Sequence, residues 1–203
     1  MAHVALIGAS GNAGNRILKE LSDRGHRVTG IARDPDKIAR LPNVTAIAGD
    51  VLDQAALASL LRGHDAVISS VRFVGSDPAL LIAAIRDASI KRYLVVGGAG
   101  SLEVTPGQRL VDQPSFPAAY KSEASKGGEF LDQLRKVDDL EWTFLSPSAL
   151  FTAGQRTGKF RLGKDQLLTT DSGSSISFED YAIAMVDELE RPAHLRQRFT
   201  VGY

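Results

Sequence analysis

The first sixteen residues, MAHVALIGASGNAGNR, constrain the fold more than any other stretch of the chain. The apolar run from Val4 to Ile7 is followed at once by Gly8, Gly11 and Gly14, and then by the helix-forming segment Ile17-Leu18-Lys19-Glu20-Leu21. Strand, tight turn and helix succeed one another without a spare residue, the pattern that opens a dinucleotide-binding βαβ unit. Each glycine has its own use against a diphosphate. Gly8 lets the chain leave the strand at a backbone angle larger residues resist, Gly11 lets the backbone approach the pyrophosphate, and Gly14 lets the helix pack tightly on the strand. Free N–H groups and the dipole at the helix start face the negative charge, which makes Gly8, Ser10, Gly11, Asn12 and Ala13 the candidate phosphate cradle. A glycine turn with no ligand is the alternative reading of the same residues.

The alternation of short apolar runs and helical patterns continues to the end of the chain. A first helix is expected over 13–24, with Ala13, Ile17, Leu18 and Leu21 on one face and Gly25 as its stop. Further strands are expected at 27–31, 44–48, 66–70, 93–96, 141–145 and 198–201. Helices are expected at 54–61, at 79–88 behind the opening Asp77-Pro78, at 120–136, and at 181–190 behind a cap at Ser177. Residues 159–162 and 166–169, joined by Gly163-Lys164-Asp165, resemble a small hairpin outside the main sheet. The expected fold is therefore one α/β domain over residues 1–203, a Rossmann-type doubly wound parallel sheet with a small C-terminal substrate-side hairpin and helix.

Composition narrows the function classes. Lys and Arg total 24, as do Asp and Glu, so no net charge draws the chain to nucleic acid or to an anionic membrane. The absence of cysteine excludes disulfides, thiol catalysis and Cys-based metal sites. His3, His26, His64 and His194 show no paired ligand spacing, and no metal is expected. No apolar run approaches the roughly 18 residues that cross a bilayer, so a soluble cytoplasmic protein, monomer or homodimer, is the expectation.

The end of the second strand bears on the cofactor. An acidic residue there bonds the ribose 2′-hydroxyl of NAD, whereas an arginine accommodates the 2′-phosphate of NADP. Here the stretch reads Gly30-Ile31-Ala32-Arg33-Asp34-Pro35, and Arg33 is its first charged residue. NADP(H) is the preferred cofactor on that ground, with NAD(H) the alternative. Arg33 as a solvated loop residue, or paired with Asp34, is the competing reading.

Over nearly its whole length the chain resembles the atypical short-chain dehydrogenase/reductase group of candidate NADH-flavin reductases, and it is similar to the biliverdin/flavin reductases. The stretches that carry the resemblance are Gly8 to Gly14, Ile31 to Pro35, Gly49-Asp50-Val51-Leu52-Asp53, Leu94 to Ser101, and Ile176 to Ala182. It implies that Asp50 and the backbone at Val51 meet the adenine, and that Ser69 and Ser70 approach the nicotinamide ribose. Gly97, Gly98 and Pro147 follow or close expected strands, at the edge where such sheets bind ligands.

One departure matters. The wider superfamily's proton donor is a tyrosine with a lysine four residues on. Here Tyr120 is followed at that spacing by Ala124, with lysines at 121 and 126 instead. Tyr120 and Lys126 are left as weak catalytic candidates; Lys126 either reaches the cofactor or is a surface lysine. The missing pair counts against carbonyl reduction, which must protonate an alkoxide, and not against hydride transfer to a flavin or quinone, whose ring delocalises the charge. Phe116, Tyr120 and Phe151 are the expected stacking surfaces for such an acceptor, with core filling as the alternative for Phe116 and Phe151. Arg156 is either a flavin-phosphate contact or a solvated charge. The expected function is an NAD(P)H-dependent oxidoreductase that hands hydride to a flavin, quinone or similar conjugated acceptor. A non-catalytic NADP(H)-binding sensor is the alternative, and a sugar-nucleotide epimerase a weaker third reading.

Overall fold

A computed structural model describes residues 1–203. In chain order the strands are β1 His3–Ile7, β2 Arg27–Ala32, β3 Val44–Ala48, β4 Ala66–Ser69, β5 Arg92–Val96, β6 Glu103–Thr105, β7 Gln108–Arg109, β8 Glu141–Pro147, β9 Leu150–Thr152, β10 Arg161–Gly163, β11 Ser175–Ser177 and β12 Gln197–Gly202. The helices are α1 Asn12–Asp23, α2 Gln54–Leu61, α3 Pro78–Asp87, α4 Ala118–Leu134 and α5 Phe178–Glu190. Eight strands form one sheet in the order β10-β12-β8-β5-β4-β1-β2-β3. All neighbours are parallel except the edge pair β10 and β12.

The period-2 alternation of each strand feeds two cores. In β1, Ala5 and Ile7 face the layer of α2, α3 and α4, while Val4 and Leu6 face the layer of α1 and α5. Both sheet faces are covered, as the continuous apolar runs require. Asp77 accepts from Ala79 N–H and Ser177 from Asp180 N–H, the caps expected at those helix starts, and Asp53 closes the start of α2 in the same way by accepting from Ala56 N–H. The chain order reverses between β1 and β4, so the C-terminal ends of these two strands open into a crevice.

Two expectations are corrected. The hairpin of 159–162 with 166–169 does not form. Instead Arg161, Leu162 and Gly163 pair antiparallel with Gly202, Val201 and Thr200, extending the main sheet at its edge. Residues 97–117, for which no strand or helix is expected, carry the short antiparallel pair β6 and β7 and a 3-10 turn at Leu110–Asp112 before α4 starts. No helix is long and apolar enough to cross a membrane.

Candidate functional site

The β1–α1 turn is built as the glycines require. Gly8 sits at φ +81°, and a Cβ there would lie 2.1 Å from the Ser70 carbonyl oxygen. A Cβ on Gly14 would lie 2.1 Å from the Gly8 carbonyl oxygen, so this glycine lets α1 press onto the turn. Gly11 is different. The nearest atoms to a Cβ there are the Gly8 and Ser70 carbonyl oxygens at 3.3 and 3.9 Å, the first a tight contact, so the protein's own backbone crowds this position far less than Gly8 or Gly14. Gly11 is also the N-cap of α1, with no side-chain cap and no acidic residue in the first turn. The first helical bond runs from Asn15 N–H to the Gly11 carbonyl, which leaves the preceding N–H groups of the helix unclaimed by the ladder. A helix start free of its own carboxylate and open above a bare glycine suits an anion.

This turn forms one side of a cleft of about 370 Å³ at the β1/β4 reversal. Of the expected cofactor residues, Gly8, Ser10, Gly11, Arg33, Asp50, Val51 and Ser70 line it together. Arg33 makes no ion pair, because Asp34 is taken by Lys37 at 3.1 Å. Asp50 accepts from Leu52 N–H at 3.0 Å, holding the turn after β3. Leu52 and Val74, 57% and 47% exposed, are apolar side chains facing the cleft, a surface that a flat ring would bury.

The remaining candidates fall elsewhere. Asn12 and Ala13 open α1 beside the cleft rather than lining it. The Ser69 hydroxyl is buried and bonded to the Tyr93 hydroxyl at 2.9 Å; burial raises the Tyr93 pKa and keeps the phenol protonated. Gly97 is glycine because a Cβ would come within 2.4 Å of the Phe144 ring, while a Cβ on Gly98 would lie 3.6 Å from the Phe73 ring. Pro147 is buried at the end of β8, opposite Val201. Lys126 pairs with Glu129 at 2.6 Å and borders a separate groove with Phe73, Pro78 and Phe130.

The three aromatic candidates are not gathered over the cleft. Tyr120 is 67% exposed in the first turn of α4. Phe116 lies in the turn before it, its N–H bonded to the Gln113 carbonyl. Phe151 packs at 4.5 Å on Phe178 and 4.6 Å on Tyr181, on the α5 layer. Arg156 makes a two-pronged pair with Glu20 of α1, at 2.8 and 2.9 Å, and is spent there.

Val71, Arg72, Val74 and Gly75 form a second wall of the cleft that sequence reasoning passed over. The sequence signal that marks it is Arg72, a cation just beyond the end of β4, next to the cofactor candidates Ser69 and Ser70.

Comparison with known proteins bears on the family and the fold. Residues 8–192 match the family described as NAD(P)H-binding. The uncharacterized protein YwnB of Bacillus subtilis (strain 168) is 44% identical over 209 residues, spanning 98% of this chain and 97% of YwnB. A crystal structure from Bacteroides thetaiotaomicron, described as that of a candidate epimerase, is 40% identical, covers 99% of this chain and 96% of that one, and superposes with a TM-score of 0.94. A Streptococcus pneumoniae TIGR4 structure, described as a candidate NADH-flavin reductase, is 36% identical over 100% of this chain and 99% of that one, with a TM-score of 0.83.

Proposed function

The chain belongs to the NAD(P)H-binding family, and from that membership we propose that it is an NADPH-dependent reductase whose acceptor is a flavin, quinone or similar conjugated ring. The observation that carries the nucleotide part is Gly11: it is bare toward the cleft, at the open start of α1, where the protein's own backbone crowds a side chain far less than at Gly8 or Gly14. The N–H groups there hold the diphosphate, Arg33 meets the 2′-phosphate, and Leu52 and Val74 flank the base. NADPH, when bound, supplies a hydride from its nicotinamide. The likeness to the Streptococcus protein supports a flavin as acceptor. The reading includes a cytoplasmic location, where NADPH is supplied, and residues 1–203 working as one domain.

The acceptor class follows from what α4 lacks. Four residues after Tyr120 stands Ala124, pressed so closely against the loop after β5 that a Cβ on Gly100 would lie 2.6 Å from the Ala124 Cβ. Lysine in the usual place is absent, and the nearby Lys126 is turned to Glu129. A carbonyl substrate would find no paired acid for its alkoxide, whereas a conjugated ring takes up the charge itself and asks mainly for orientation. The same lack weakens the epimerase reading.

Two substitutions test the roles. Arg33→Ala removes a charge-assisted contact worth about 1.5–3 kcal/mol and is expected to weaken NADPH roughly 10-fold or more while leaving NADH nearly unchanged. Equal losses for the two nucleotides in parallel titrations would remove Arg33 from that role. Tyr120→Phe is expected to keep most flavin or quinone reduction. A general acid contributes about 10²–10⁴-fold, so a drop of that size in kcat with NADPH affinity intact would make Tyr120 a proton donor and return carbonyl reduction to the lead. The function itself is tested by steady-state NADPH oxidation against FMN, FAD, riboflavin and quinones beside a panel of aldehydes and ketones. Turnover confined to the conjugated acceptors is expected; tight binding without turnover of any would make the protein a nucleotide sensor.

A further inference from the structure

The cleft wall of Val71, Arg72, Val74 and Gly75 has its own turn bonds, Gly75 N–H to the Arg72 carbonyl at 3.2 Å and Ser76 N–H to the Phe73 carbonyl at 3.4 Å, but the start of that turn is held from another element. The 3-10 turn Phe73–Gly75 starts without a side-chain cap from Arg72. Its first two N–H groups donate instead to Glu123 of α4: Phe73 N–H to Oε1 at 2.7 Å and Val74 N–H to Oε2 at 3.0 Å. One carboxylate supplies from another element the capping that a local side chain gives elsewhere in this chain. The Phe73 ring completes the attachment. It is buried, stands edge-on to Phe130 at 5.5 Å, stacks on Phe144 at 6.1 Å, and lies so near α4 that a Cβ on Gly127 would come within 2.9 Å of it. Arg72 Nε is 3.9 Å from Glu123 Oε2, and its side chain is 79% exposed, so the cation is loosely held at the cleft.

Resting on the cofactor reading above, we propose that Glu123 is a positioning residue for the nucleotide. Glu123 does not line the cleft. It holds the wall that does, by accepting from two successive backbone donors, with Arg72 only loosely paired to the same carboxylate. Removing it frees the Phe73 and Val74 N–H groups and loosens the start of the wall, which the Phe73 ring alone then ties to α4. Because Arg33 meets the 2′-phosphate from the other side of the cleft, the loss falls equally on NADPH and NADH.

The test uses Glu123→Ala and the isosteric Glu123→Gln in the full chain, with NADPH and NADH titrations, steady-state flavin reduction and amide hydrogen exchange. Glu123→Ala is expected to weaken both nucleotides about 10-fold and to raise KM with kcat changed less than about twofold. Glu123→Gln, which keeps one acceptor oxygen, should lose about threefold. Exchange should quicken at Phe73 and Val74 while the amides of β1, β4 and β5 stay protected. Unchanged nucleotide affinity despite faster exchange at the two amides overturns the proposal. So does a fall in kcat at constant KM, which would put Glu123 at the acceptor, or faster exchange throughout the sheet, which would make its role general stability. A wild-type protein that binds neither nucleotide would overturn the cofactor reading itself, a result distinct from a wild type that binds and a variant that binds equally well.

Discussion

Gly11→Val is expected to abolish NADPH binding while leaving the sheet intact. The substitution places two methyl groups in the space above the start of α1, where the proposed diphosphate approaches the backbone. The turn crowds a side chain there far less than at Gly14: a Cβ meets the Gly8 carbonyl oxygen at 3.3 Å, a tight contact that asks for a shift of a few tenths of an ångström, and the Ser70 carbonyl oxygen at 3.9 Å, and the residue has an ordinary extended conformation at φ −73°. Exchanging a glycine N-cap for valine costs about 1 kcal/mol at most in fold stability. Loss of affinity should be about 100-fold or more, equivalent to roughly 2.7 kcal/mol. Gly14→Val makes the control, because its Cβ would lie 2.1 Å from the Gly8 carbonyl oxygen and should disrupt the turn itself. Calorimetric titration with NADPH alongside circular dichroism separates the two effects. A Gly11→Val protein that binds like wild type would move the site elsewhere.

The largest effect on stability is expected from Glu188→Ala. Glu188 is 3% exposed near the end of α5 and gathers Arg92 of β5 at 3.0 Å, His194 Nδ1 at 2.7 Å, and the N–H groups of Ala193 and His194. Arg92, itself 8% exposed, also donates to Thr143 and to the Glu141 carbonyl on β8, and the His194 ring stacks on Phe199 of β12 at 4.0 Å. One carboxylate therefore ties a helix, three neighbouring strands and the link between α5 and β12. Burial lowers the Arg92 pKa against the pull of Glu188, but an arginine stays charged even so. Without Glu188 a buried guanidinium loses its counter-charge, at a cost of about 3–5 kcal/mol. For a chain of this length that is a fall of about 10 °C in Tm. Arg92 opens β5, whereas the cleft lies beyond the opposite ends of the strands, so NADPH affinity should hold below the transition. A Tm within about 2 °C of wild type would show the cluster to be energetically idle.

What the sequence disclosed follows the range of the interactions. The glycine turn, the caps at Asp53, Asp77 and Ser177, and the first charge after β2 are local signals, because each depends on residues a few positions apart. The doubly wound sheet follows from the same alternation. The hairpin misreading has the opposite cause: Arg161-Leu162-Gly163 is short and carries no clear alternation, so its pairing with β12 some forty residues on left no mark nearby. The Glu123 brace on Phe73 and Val74 spans fifty residues between two elements with no shared pattern. The aromatic candidates failed to assemble for a related reason. An aromatic residue records a need for area, and Phe151 satisfies it against Phe178 and Tyr181 rather than over the cleft. Half of the expected cofactor set met because the turn, the end of β2 and the end of β3 are brought together by the sheet order alone.

Hydride transfer from NADPH in this cleft to a conjugated ring, the reaction proposed for the protein, has a direct kinetic signature. Its most direct test is a single-turnover experiment without oxygen, mixing excess protein with one equivalent each of NADPH and FMN and following the nicotinamide and flavin absorbance bands together. The two bands are expected to bleach at one rate, well above that of the same mixture without protein, and to slow together with NADPH deuterated at C4. Saturable binding of NADPH with both bands unchanged for FMN, and again for a quinone, would contradict the account.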